Sequence, residues 1–167
     1  MDKVNDTKVK SNLGKEIRVL PTFGQVVSCY FPEAETPNKP GIKARPCLVL
    51  RTAWSNSARK WYVDVAYGTS VASNRRDDYS IDINDPGAVG SSGLARPTRF
   101  DLMRRRVLPL DLRYFRANLD RTPILGRLPQ PDIDKVRNIF DSISTRNESP
   151  SIKQAATRFR NQNQERG

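Results

Sequence analysis

The chain has 167 residues, enough for one domain with appendages. It carries 29 Lys and Arg against 18 Asp and Glu, a net charge of +11, with no His and only two Cys. Such a charge favours a polyanionic partner. The lack of His excludes Ser-His-Asp and His-His chemistry and leaves little from which to build a zinc site.

Residues 1–22 are polar, without an apolar signal core, and read as a flexible basic arm of a cytoplasmic protein. No apolar run approaches the length of a membrane span. Gly24 to Phe31 is the first predicted strand. The three prolines of Pro32 to Gly41 then make a long loop. Ala44 to Thr52 is a second strand, with Pro46 near its start, where a strand tolerates proline. Lys60 to Tyr67 is a third, rich in β-branched and aromatic residues, and Gly68-Thr69-Ser70 ends it. Cys29 and Cys47 read as buried reduced thiols. Trp54 and Trp61 read as core or rim residues rather than base-stacking platforms.

Tyr79 to Ile83 alternates and is a fourth strand, followed by a turn-rich connection from Asp85 to Gly93. Thr98 to Arg104 is the next strand, and Val107 to Leu110 is its continuation or a sixth. Residues 111–120 suit a helical turn. Gln130 to Ile143 places Ile133, Val136, Ile139, Phe140 and Ile143 at helical spacing, with Pro131 and Asp132 fitting its first turn. Residues 144–167 read as a disordered basic tail. Short strands closed by one helix predict a mainly β fold, a small antiparallel barrel.

The stretch with the most chemistry is Thr98 to Arg104. Period two puts Arg99, Asp101 and Met103 on one face and Phe100, Leu102 and Arg104 on the other. A guanidinium and a carboxylate two residues apart can converge on one phosphate. The alternative is a surface ion pair on a barrel strand. Residues 95–127 contain nine Arg and no Lys. The planar arginine fork pairs with phosphate and stacks on bases, which favours nucleic-acid contact over mere solubility. No zinc finger, helix-turn-helix or RNP-type aromatic motif accompanies these residues. The glycines from Gly87 to Gly93 lack the Lys-Ser/Thr of a phosphate-binding P-loop.

Five pieces occur in a set order: Gly24-Gln25-Val26-Val27, Arg45-Pro46-Cys47-Leu48-Val49-Leu50, Thr69-Ser70, Arg99-Phe100-Asp101-Leu102-Met103-Arg104 and Leu125-Gly126-Arg127-Leu128. Over residues 23–143 this order resembles the MazF/PemK family of toxin endoribonucleases. The resemblance implies an SH3-like antiparallel β-barrel with a C-terminal α-helix, usually a homodimer. It implies metal- and cofactor-independent, sequence-specific cleavage of single-stranded RNA by attack of the 2′-OH. It also implies a protein partner, an antitoxin whose acidic tail occupies the RNA groove.

Carried onto this chain, the resemblance makes Arg45, Thr69, Arg99 and Asp101 the catalytic residues. Arg45 and Thr69 hold the scissile phosphate, Asp101 is the base, and Arg99 stabilises charge near the leaving oxygen. Ser70 and Arg104 bind substrate. Leu102 stands where the family usually has Gln, and the first loop offers no His. These departures keep a second expectation in view: a catalytically silent nucleic-acid-binding or gyrase-poisoning relative on the same fold.

Overall fold

A computed structural model describes residues 17–70 and 77–144. Most of the arm expected over residues 1–22 and of the tail expected over 144–167 lies outside the described residues. Six strands and two helices follow in order: β1 (Gln25–Cys29), β2 (Arg45–Ser55), β3 (Lys60–Ser70), β4 (Ser80–Ile83), α1 (Pro86–Ser91), β5 (Thr98–Pro109), β6 (Ile124–Arg127) and α2 (Gln130–Ser144). The strands form one sheet in the order β4-β5-β3-β2-β1-β6, and every pairing is antiparallel. The fold is thus mainly β with a C-terminal helix, as expected.

Strand alternation feeds two apolar clusters. Val27, Cys47, Val49, Val63 and Val65 belong to one, together with Tyr114 and Phe115. Val26, Leu48, Ala66, Phe100 and Leu102 belong to the other, which α2 covers with Ile133, Val136 and Ile143. The helix forms where its apolar residues recur at helical spacing, and its first N–H groups from Asp132 and Ile133 bond to the carbonyl of Pro129. Residues 111–115 make the expected helical turn, with the N–H groups of Tyr114 and Phe115 bonded to the Asp111 carbonyl. Of the expected arm, Ile17 packs against the first cluster and the Arg18 N–H bonds to the Arg121 carbonyl.

Four details differ from the sequence reading. First, β3 does not stop at Tyr67 but runs through Gly68, Thr69 and Ser70, because Phe100, Arg99 and Thr98 pair with them. Second, the connection from Asp85 to Gly93 contains α1. Asp85 caps this helix by accepting from the Ala88 N–H at 3.1 Å, and Pro86 opens it; two glycines hide the signal. Third, Leu125-Gly126-Arg127 is not only a lead into the last helix but part of β6, which pairs with the free edge of β1.

The fourth difference is a bulge in β5. Tyr67 pairs with Asp101 while its neighbour Ala66 pairs with Arg105. Residues 102–104 are therefore extra on β5, and a bulge of this kind re-aims side chains. Arg104 leaves the face of Phe100 and Leu102 and lies over the Tyr67 and Phe31 rings, at 3.8 and 5.8 Å.

The sheet is not closed by hydrogen bonds, since β4 and β6 are its two edges. Backbone contact closes the gap instead. A Cβ on Gly126 of β6 would lie 2.4 Å from the Ser91 carbonyl oxygen. One on Gly93, whose φ is +69°, would lie 2.1 Å from the Leu125 oxygen. Only glycine permits both the approach and the positive φ. The seam between α1 and β6 makes a loosely closed barrel.

Candidate active site

Four strands contribute one transverse row of side chains. Thr69 of β3 pairs with Arg99 of β5, and Arg99 pairs with Asp82 of β4. The β2–β3 register, continued two residues beyond Cys47 and Tyr67, brings Arg45 opposite Thr69. The next row on the same face holds Cys47, Tyr67, Asp101 and Ser80. At about 4.8 Å per strand, Arg45 and Arg99 are roughly 10 Å apart along the row.

At the Arg45 end lies a cleft of about 510 Å³ that Arg45, Thr69 and Ser70 line together. Lys43, Arg96 and Arg116 complete its charge, and no acidic side chain lines it. None of its four cations forms an ion pair among the described residues. A second cleft of about 370 Å³ adjoins it and shares Lys43 and Arg45, so Arg45 stands in the wall between them. Phe31, Tyr67 and Arg104 line the second cleft beside Glu33 and Glu35. Tyr67 is held between two guanidinium groups, with Arg104 at 3.8 Å and Arg45 at 5.8 Å from its ring centre. Stacking of this kind fixes a long side chain in a direction while leaving its donors available.

Arg99 and Asp101 line neither cleft, and they do not converge on each other. The Arg99 guanidinium is taken by Asp82, with Nε 2.6 Å from Oδ1 and Nη2 2.9 Å from Oδ2. These hydrogen bonds raise Arg99 above its ordinary value, so it remains a cation at any working pH. The ion-pair reading of Arg99 thus applies, with Asp82 as the partner. Asp101 staples the bulge: its Oδ1 accepts from the N–H groups of Met103 (2.9 Å) and Arg104 (3.3 Å).

Sequence reasoning passed over Asp82, Tyr67 and Lys43, and reached Arg96 and Arg116 only as two of the nine arginines of residues 95–127. Tyr67 had a usable signal, being two residues before Thr69 and therefore on its face. Nothing local singled out Arg116 among the nine, because its place depends on the route of the segment after β5, where the Arg116 N–H bonds to the Ser28 carbonyl.

Cys29 and Cys47 are both buried and free. Burial and the neighbouring Cys47 thiol push the Cys29 thiol well above its ordinary value, which keeps it protonated and unreactive. Among the described residues, no three His, Cys, Asp or Glu side chains gather as a metal site. Likewise, no helix among them is long and apolar enough to cross a membrane.

Together these features define a mainly β antiparallel protein with a cationic cleft across its strand ends. No family model matches this chain, and no curated protein does. Among solved structures, it is similar to an endoribonuclease in complex with its cognate antitoxin from a mycobacterial species. The identity is 14% and the TM-score 0.48, over 78% of this chain and 100% of that one.

Proposed function

We propose that this chain is an endoribonuclease of the MazF/PemK type, the toxin of a toxin–antitoxin pair, acting on single-stranded RNA without a metal or cofactor. The observation that carries the reading is the cleft where Arg45 and Thr69 meet among four cations and no carboxylate. A phosphodiester seated there receives charge-assisted hydrogen bonds from guanidinium groups, the strongest class available to it. The 2′-OH gives its proton to Asp101, which stands outside the cleft on the row next to Thr69, as its oxygen bonds to phosphorus. The bond from phosphorus to the 5′-oxygen then breaks, leaving a 2′,3′-cyclic phosphate and a 5′-OH that takes its proton from water.

An arginine in a protein does not give up its proton. Arg99 is accordingly assigned to charge stabilisation on the phosphorane, a role that needs only a fixed cation. Ser70 and Arg104 bind flanking nucleotides. An acidic antitoxin segment would compete for the same cations, and the active unit is the barrel spanning residues 23–143, paired as a homodimer.

A second reading, nucleic-acid binding without cleavage, draws on two contacts. Asp101 serves the bulge and Arg99 serves Asp82. One experiment separates the two readings: incubation of a long single-stranded RNA with the protein in chelator. Endoribonuclease activity predicts 2′,3′-cyclic phosphate ends that fall at least tenfold with Arg45→Ala. Salt-dependent binding with no cleavage product would favour the second reading.

A further inference from the structure

The far end of the β2–β3 hairpin carries a feature that the cleft does not use. Trp54 and Trp61 pair directly across the two strands, with ring centres 5.6 Å apart and planes at 66°. They are 45% and 36% exposed, which fits the rim rather than the core alternative of the sequence reading. The reverse side of the same hairpin end is buried, through Tyr62 and Ser55. The indoles therefore occupy the outward face by placement, not for want of a core beneath the strands. Exposed Arg59 lies in the turn that joins the two strands, while period two turns Arg51 and Lys60 to the reverse side, where Lys60 Nζ is 3.9 Å from Asp111.

We propose that the Trp54–Trp61 pair is a second contact for single-stranded RNA, remote from the cleft, where unpaired bases stack on the exposed indoles. The inference rests on single-stranded RNA being the ligand of the cleft. Aromatic faces on a cationic protein are the general device for holding unpaired bases, because every base has a π-face and every linkage a negative charge, and this chain carries a net charge of +11.

A second copy of the chain is the weaker occupant. At 150–250 Å² per aromatic side chain, the two rings expose only about 200 Å² together, against roughly 800 Å² per partner in a stable interface.

Geometry connects the two sites. Period two on β3 puts Trp61 on the face of Tyr67 and Thr69, about 25 Å along the strands from the cleft. The segment that covers the face between them is bonded at both ends, through Leu110 N–H to the Trp61 carbonyl and Arg116 N–H to the Ser28 carbonyl. Arg116 then enters the cleft lining. A strand of RNA leaving the cleft over this segment reaches the indoles.

The two indoles are the only tryptophans in the chain, so its tryptophan emission reports this pair alone. The test titrates the whole protein with a 2′-O-methylated single-stranded oligouridylate of about 16 nucleotides, the upper site size of a single-strand-binding fold. Lacking a 2′-OH, this probe binds without being cut. Fluorescence anisotropy of a label on the RNA follows binding independently.

The expected result is quenching that tracks the anisotropy, with none from a duplex of the same length. Trp61→Ala weakens the long probe about tenfold but leaves a dinucleotide that fits only the cleft unaffected. Trp61→Phe, which keeps a stacking ring and the packing, restores most of the affinity. RNA that binds without changing the emission overturns this inference and leaves the proposed function standing. A chain that binds no RNA overturns both. A dimer that Trp61→Ala dissociates assigns the face to a second copy and overturns the inference.

Discussion

Arg99 and Asp82 meet fork to fork across β5 and β4, with Nε 2.6 Å from Oδ1 and Nη2 2.9 Å from Oδ2. The pair sits beside Thr69 in the row that leads to the cleft. Asp82 is therefore a positioning residue for a cation whose role depends on direction. Removing a fixed donor to developing charge costs about 10²–10³ in rate, so Arg99→Ala should lower single-turnover cleavage by that factor. Arg99→Lys should recover little, because an ammonium cannot make the fork. Asp82→Asn should slow the step by about tenfold with little change in KM. Since Asp82 holds Arg99 above its ordinary value, the pH–rate profile should show no alkaline fall from Arg99 deprotonation. Equal loss from Arg99→Lys and Arg99→Ala is the expected signature; full activity in Arg99→Lys would refute a directional role.

Asp101 has two roles to separate. Its Oδ1 holds the β5 bulge through the N–H groups of Met103 and Arg104, so alanine removes a structural acceptor along with the proposed base. Both hydrogen bonds are exposed, so water replaces the acceptor in part and their loss costs about 0.5–1.5 kcal/mol. Asparagine keeps the acceptor and loses the base. Asp101→Asn should melt like the wild type while cleaving at least 10²-fold more slowly, in the range for loss of a general base. Asp101→Ala should lose both activity and stability. Wild-type cleavage by Asp101→Asn would show that the carboxylate serves the bulge alone.

The sequence reading succeeded where one strand's own alternation or one helix's own spacing decides the outcome. Val26 and Val27, Leu48 and Val49, and the apolar side of α2 behave as that periodicity requires. It failed where pairing between distant segments decides. Asp82 lies 17 residues from Arg99, and no local pattern links them. Arg104 changes face because three extra residues enter β5, a register event that alternation within the strand cannot reveal. Arg45 and Thr69 were legible as site residues through resemblance, and only the β2–β3 register puts them side by side. Trp54 and Trp61 have the composition of core residues, and nothing local says which side of the hairpin is covered.

The seam between Gly93 and Gly126 replaces the missing hydrogen bonds between β4 and β6. A Cβ at Gly126 would stand 2.4 Å from the Ser91 oxygen and 2.7 Å from the Gly93 nitrogen, all backbone atoms that cannot swing aside. Gly126→Ala should therefore part β6 from the end of α1, at a cost of about 1–3 kcal/mol as overpacking. Gly93→Ala adds the strain of a side chain at φ +69° and should cost at least as much. Because Gly93 also lines the cleft, RNA affinity should fall with it. Gly90→Ala serves as the control, as a Cβ there meets nothing within 4 Å. Urea midpoints of the three variants give the comparison. Equal stability of Gly126→Ala and Gly90→Ala would contradict the seam.

Beneath α2 lies an ion pair that stabilises poorly. Asp64 of β3 is fully buried, and Arg105 of β5 nearly so, yet Nε and Oδ1 are 3.9 Å apart. Neither carboxylate oxygen of Asp64, nor Nη1 of Arg105, has a hydrogen-bond partner among the described residues. The Phe140 ring of α2 lies 5.2 Å from the guanidinium carbon. Burial pushes the Asp64 carboxyl above its ordinary 3.8, and Arg105 and Arg51 draw it only partly back. Between the unfolded and the raised folded value, the native state binds more protons than the unfolded chain. Asp64 therefore lowers stability as pH rises through that window, and acidification through it restores stability. Replacing the pair by Asp64→Leu with Arg105→Met should stabilise the fold by about 1–4 kcal/mol and remove this component of the pH dependence. Arg105→Met alone should cost about 3–5 kcal/mol at neutral pH, because it strands the carboxylate. Urea unfolding at stepped pH reads both effects. A double variant that is less stable than the wild type, or that keeps the same slope, would mean that the pair offsets its own desolvation.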